Sequence, residues 1–131
     1  ARPILAISVA GGDLQDQVTL DILLKFVEFN MMPDDAVTSP RFSTGHHEDS
    51  FDPNPDRDAA IVKLSYLELN TNIEEKVKDR LISRKHRMSR TCKPIGRPAM
   101  LYVDQDTKVL HAAGDPQTGR HAAALDSIPS R

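Results

Sequence analysis

The sequence predicts an α+β fold: a mixed, mainly antiparallel sheet carrying two main helices. Three observations carry that prediction. Strand-like and helix-like periods alternate along the chain, the last third reads as a hairpin, and 131 residues suffice for about one domain with a modest core. The expected order is strand, helix, short helix, loop, strand, helix and two or three strands, with no internal repeat.

"ILAISVA", residues 4–10, is mostly apolar with β-branched members, as in a strand buried on both faces. Gly11 and Gly12, two of only six glycines, end it. Asp13 suits the N-cap of the next helix, and Asp16 puts a second negative charge in its first turn. Leu14, Val18, Ile22, Leu23, Phe26 and Val27 then recur at helical spacing, with Asp21, Lys25 and Glu28 between them. Asn30 closes that helix. "PDDAV" opens a short helix on Pro33, and Pro40 closes it. Residues 43–59 are polar, contain two prolines and read as a long loop.

"AIVKLSYLEL", residues 60–69, returns to alternation, with Val62, Leu64 and Tyr66 on one side. "NTNIEEKVKDRLISRKH" is the second amphipathic helix: Ile73, Val77, Leu81 and Ile82 form its stripe, and Asn72 with Glu75 makes a capping-box-like start. "HRMSRTC" reads as a short strand. "PAMLYVD" and "VLHAAGD" bracket the polar turn "QDTK" in a hairpin pattern. The polar tail after Asp115 reads as frayed.

A formal charge of −2 and a pI near 6.2 give no electrostatic reason to expect a nucleic acid or an anionic membrane as partner. No apolar run approaches the roughly 18 residues of a membrane span. Cys92 is the sole cysteine, so no internal disulfide forms. The chain lacks an initiator Met and starts on an apolar strand-like run. That predicts part of a longer polypeptide, with Ala1 at a processing site or a boundary.

Adjacent glycines expose two backbone amides without side-chain obstruction. At the start of a helix such amides can stabilise a negative oxygen, which is what the oxyanion hole of acyl transfer requires. A merely tight turn would leave the same pattern, and the residues alone leave both readings open. Asp52, Asn54 and Asp56 match the first ligand positions of a calcium loop, but Arg57 stands where that loop needs glycine and Lys63 where it needs glutamate. His46, His47, Glu48 and Asp49 are consecutive, and consecutive residues seldom converge on one ion. These residues read as a solvated loop. G-x-S-x-G, phosphate loops, dinucleotide fingerprints and paired zinc ligands are absent. Cys92 has basic neighbours, Arg90 and Lys93, but no clear base, and reads as a structural thiol. Basic "RLISRKHRMSR" has no aromatic residue to stack a base, and reads as an exposed helix end.

In order and spacing, "SVAGGDLQDQ", "LLKFVEFNMMPDDAVTSPRFSTGHHEDSF" and "PAMLYVD…VLHAAGDPQTGRHAAALD" resemble the γ-glutamyltransferase family over roughly residues 3–126. The resemblance implies an N-terminal-nucleophile hydrolase with an αββα sandwich. Such an enzyme cuts itself into a large and a small subunit, and the newly exposed Thr attacks a γ-glutamyl amide. It uses no metal or organic cofactor. Residues 1–126 would be the C-terminal part of the small subunit and 127–131 a tail. The backbone amides of Gly11 and Gly12 would form the oxyanion hole, and Asp13 would touch the substrate amine. Arg41 would pin the start of a strand through carboxylate or carbonyl contacts, and Asp115 and Pro116 would set the closing turn. The family's nucleophilic Thr is not in this chain, and Ala1 has no hydroxyl to replace it, so the isolated chain is expected to be inactive. The implied partners are the rest of the parent polypeptide (the large subunit and the N-terminal part of the small one) and a γ-glutamyl small molecule such as glutathione. A periplasmic or extracellular location follows by resemblance, with the cytoplasm left open. The alternatives are a fragment of a related acylase, and a non-catalytic interaction module that self-associates through open strand edges.

Overall fold

The computed structural model describes residues 3–46, 48–56 and 63–123. The chain forms two compact units, one of residues 1–9, 19–39 and 97–131 and the other of residues 10–18 and 40–96. Six strands and three α-helices are described: β1 (Leu5–Ala10), α1 (Gln15–Phe29), α2 (Pro33–Thr38), β2 (Phe42–Gly45), β3 (Lys63–Asn70), α3 (Glu75–Ser83), β4 (Arg87–Thr91), β5 (Arg97–Val103) and β6 (Leu110–Gly114). Short 3-10 turns cover Gly12–Leu14 and Pro116–Thr118.

The first unit holds the sheet β1-β5-β6. β5 and β6 pair antiparallel, with Met100 opposite Ala113, so the predicted hairpin is present. The Val103 amide donates to the Ile4 carbonyl at 2.8 Å, which sets the start of β1 beside the end of β5. β1 was expected to be buried on both faces. Instead its residues mostly alternate between half-buried and exposed, the pattern of a strand covered on one face. Met100, Ile22, Ala36 and Val37 are fully buried, and α2 packs on β5 and β6. The Phe26 ring meets Tyr102 edge-on at 4.8 Å. Val27, assigned by its spacing to the apolar stripe, is 56% exposed. It follows Val18 by nine positions, about two and a half helical turns, and so lies on the opposite side of α1.

The β5–β6 turn is held by one carboxylate. Asp104 Oδ1 accepts from the Asp106 amide at 2.8 Å and the Thr107 amide at 3.1 Å. The Thr107 amide first, then the Asp106 amide and the Thr107 hydroxyl, hold this carboxyl below the usual carboxylate range, with a further push from His111. A depressed folded-state pKa makes the turn's contribution fully present above the ordinary carboxylate range and lost as pH falls through the lowered value. NMR titration is expected to move the Thr107 amide signal at a midpoint below the ordinary carboxylate range. Asp104→Asn, which keeps an accepting oxygen, is expected to abolish that titration.

After β6, Asp115 is 3% exposed and accepts from the Gln117 amide at 3.0 Å, with Pro116 first in the 3-10 turn that follows. The expected closing turn is present. The segment after it is not simply frayed, since Arg120 Nε donates to the Arg97 carbonyl at 3.2 Å.

The second unit holds the sheet β2-β3-β4, with β2 antiparallel to β3 and β4 parallel to it. β2 corrects the reading of residues 43–59 as loop throughout: Ser43 and Thr44 pair with Glu68 and Leu67. Their polar side chains hide the strand, and only the long-range ladder reveals it. On β3 the buried side carries Leu67 and Leu69, not Tyr66, which is half-buried. Residues 60–62 and the side chains of Lys63, Leu64 and Ser65 lie outside the described set. α3 starts later than the Asn72 capping box predicts, and its N-cap, Glu74, makes no side-chain capping bond. The Asn72 amide instead donates to Asn70 Oδ1 at 3.0 Å, and Arg90 of β4 reaches the front of the helix, donating to Glu75, the Thr71 carbonyl and the Ile73 carbonyl.

Candidate functional site

All the parts that surround the glycine pair belong to the second unit. Gly11 is exposed with extended φ, and Gly12 is half-buried with φ +57°. That left-handed value costs about 1–2 kcal/mol for a residue with a Cβ, so position 12 needs glycine for its backbone alone. The two carbonyls turn into the helix start: Gly11 accepts from the Leu14 amide at 3.2 Å and Gly12 from the Gln15 amide. Among the described residues, neither the Gly11 nor the Gly12 N–H donates a hydrogen bond.

A second glycine turn supports the first. Gly96 has φ +68°, and a Cβ there would lie 2.8 Å from Val18 Cγ2 on α1. A Cβ on Gly11 would lie 3.5 Å from the Gly96 Cα. The two backbones therefore approach at contact distance, with no room for a side chain at 96. The residue before Gly96 is pinned: Arg41, 4% exposed, donates from Nε to the Ile95 carbonyl at 2.6 Å. Its own carbonyl accepts from the Asn70 amide at 3.0 Å, at the start of β2. Arg41 thus makes the carbonyl contact expected of it.

One helical turn beyond the glycines, Gln17 ties α1 to β2. Its Nε2 donates to the Phe42 carbonyl at 3.3 Å, and its Oε1 accepts from the Thr44 amide at 3.2 Å. Asp13 does not cap α1; the 3-10 turn is capped by Gly11 without a side-chain bond. The Asp13 carboxylate instead reaches Ser50, accepting from its amide at 2.9 Å and from its hydroxyl. The next ring, Phe51, brings Cε2 to 3.1 Å from where a Cβ on Gly12 would sit.

The loop acids are turn formers. Asp49 Oδ1 accepts from the amides of Phe51 at 3.0 Å and Asp52 at 3.3 Å, and Asn54 Oδ1 accepts from the Asp56 amide at 3.0 Å. No group of three or more His, Cys, Asp or Glu side chains is placed to hold a metal among the described residues; His47 and Arg57 lie outside them. Cys92 is exposed. No described helix is long and apolar enough to cross a membrane. Sequence reading found Gly11, Gly12, Asp13 and Arg41 and missed Gln17, Ser50, Phe51 and Gly96 as parts of one site. Their partners lie 25 residues or more away along the chain, and no local pattern signals such pairings.

A family model described as Gamma-glutamyltranspeptidase matches residues 1–125. No curated protein sequence matches the chain. Among solved structures, a cephalosporin acylase from Bacillus halodurans is 19% identical with a TM-score of 0.77, covering 97% of this chain and 21% of that one. A gamma-glutamyltranspeptidase from Pseudomonas nitroreducens, complexed with L-DON, is 18% identical with a TM-score of 0.70, covering 95% of this chain and 56% of that one. An acivicin-inhibited gamma-glutamyltranspeptidase is 20% identical with a TM-score of 0.66, covering 87% of this chain and 53% of that one. The chain therefore shares their fold and spans between a fifth and just over half of their lengths.

Proposed function

Because the chain belongs to the gamma-glutamyltranspeptidase family, whose members are hydrolases and transferases with the N-terminal-nucleophile fold, we propose that it supplies the oxyanion-binding part of a site that cleaves γ-glutamyl amides, glutathione among them. The observation that supports this most is the pair of main-chain N–H groups at Gly11 and Gly12 that serve no bond of the described chain.

In this reading a Thr from the rest of the parent polypeptide attacks the amide carbonyl, and its hydroxyl proton passes to its own α-amine. The carbonyl π pair moves onto oxygen, and that oxyanion accepts from the Gly11 and Gly12 amides. When the tetrahedral species collapses, the C–N bond breaks and the leaving amine takes up the proton. The acyl-enzyme then passes to water or to an acceptor amine. One preorganised donor of this kind is worth roughly 3–4 kcal/mol in the transition state. Asp13 serves the same site: its carboxylate holds Ser50, and a substrate amine would compete with Ser50 for it. Arg41 acts through the Ile95 carbonyl and touches no reacting atom. The isolated chain, which has no nucleophilic Thr of this kind, is inactive in this reading.

The full parent protein is expected to release p-nitroaniline from γ-glutamyl-p-nitroanilide, faster with an acceptor amine present, while the 131-residue chain alone releases none. Absence of release by the parent would overturn the γ-glutamyl reading. The similarity to the cephalosporin acylase favours a second reading, an acylase taking another acyl group. Release from glutaryl-p-nitroanilide but not from the γ-glutamyl compound would select it.

A further inference from the structure

The Gly11–Gly12 turn is made of the residues least able to hold a backbone shape by themselves, and amides stabilise a developing oxyanion only where they are already aimed. Support must therefore come from outside the turn, and β2 gives it twice. Arg41, just before β2, fixes the Ile95 carbonyl at 2.6 Å and with it the Gly96 turn that Gly11 approaches. Gln17, on the first turn of α1, grips β2 itself. β2 pairs with β3 on one side, and among the described residues no strand pairs with its other side. The Arg41 carbonyl turns toward β3, where it accepts from the Asn70 amide at 3.0 Å. Alternate residues of an antiparallel ladder turn to opposite neighbours, so the Phe42 carbonyl and the Thr44 amide turn outward. The half-buried Gln17 side chain takes both, donating from Nε2 to Phe42 at 3.3 Å and accepting at Oε1 from Thr44 at 3.2 Å. One side-chain amide thus stands where the peptide of a further strand would stand, and fixes α1 to β2 a few residues after Gly12.

Resting on the acyl-transfer reading above, we infer that Gln17 is a positioning residue: its paired bonds to β2 hold the Gly11 and Gly12 amides at the angle the oxyanion needs. It touches no reacting atom. The two bonds demand a donor and an acceptor on one planar group of this length, which is what a glutamine amide offers. A carboxylate there keeps the acceptor for Thr44, but it has no donor and sets a negative oxygen against the Phe42 carbonyl. Methionine, of similar length, has no N–H to donate and only a weakly accepting sulfur.

The test uses the full parent protein and γ-glutamyl-p-nitroanilide. Gln17→Met is expected to lower kcat by about 10- to 100-fold, since a misplacement near 1 Å costs up to about 10²-fold. KM should stay nearly unchanged, because the oxyanion bonds form only in the transition state. Gln17→Glu is expected to act in the same way at neutral pH. With the Gly12 N–H exchanged for an ester oxygen, Gln17→Met should cost less than it does alone, since both changes act on one donor. A merely structural Gln17 would lower the unfolding midpoint and leave kcat per folded molecule unchanged. Wild-type kcat in both variants, or a loss undiminished in the ester background, overturns the proposal and leaves the acyl-transfer reading standing. No turnover by the wild-type parent overturns both.

Discussion

Gly96→Ala is expected to destabilise the protein by about 2–5 kcal/mol, the sum of the left-handed backbone cost and of overpacking. The added methyl would stand 2.8 Å from Val18 Cγ2 and 3.0 Å from Val18 Cγ1. Val18 is 1% exposed, and its β-branched side chain on a helix has essentially one rotamer, so it cannot turn aside. The helix or the 94–96 turn must therefore move, and Gly11 rests on that turn. Urea unfolding is expected to show a lower midpoint with an unchanged slope. Combining the change with Val18→Ala is expected to cost less than the sum of the two single changes, because the clashing methyls are gone. A wild-type midpoint for Gly96→Ala alone would show that position 96 is not packed against Val18 in a left-handed turn.

The elements that local periodicity specifies were legible in the sequence. α1, α2 and the β5–β6 hairpin follow from apolar spacing and from Asn30, Pro33 and the polar turn, each of which acts within a few residues. Elements set by distant partners were not. β2 is written in polar residues because Gln17 and β3 supply its bonds from elsewhere in the chain. Asp13 had the composition of a helix cap, but two donors on Ser50 outcompete the cap. The capping box at Asn72 lost for a similar reason: Asn70 takes the Asn72 amide, and the helix starts beyond it.

The candidate site was legible in one respect. Two adjacent glycines at a strand-to-helix junction pointed to bare amides, and the structure leaves both without a partner in the described chain. The pattern could not reveal the sign of φ at Gly12, and that sign decides how the site can be tested. Proline would delete the amide, but its ring holds φ near about −65°, against +57° here. Gly12→Pro would break the turn along with the donor. Gly12→Ala keeps the N–H and adds a methyl 3.1 Å from the Phe51 ring, so it too confounds geometry with hydrogen bonding.

Replacing Gly12 by glycolic acid in the semisynthetic full-length protein exchanges the N–H for an ester oxygen and leaves φ unrestricted. The oxyanion assignment predicts a fall in kcat of about 10²–10³-fold toward γ-glutamyl-p-nitroanilide, with little change in KM, because the bond forms only as charge develops on the carbonyl oxygen. The same exchange at Gly11 is expected to act in the same direction. Wild-type kcat in both esters, with the fold intact, would mean that these amides do not meet the reacting oxygen.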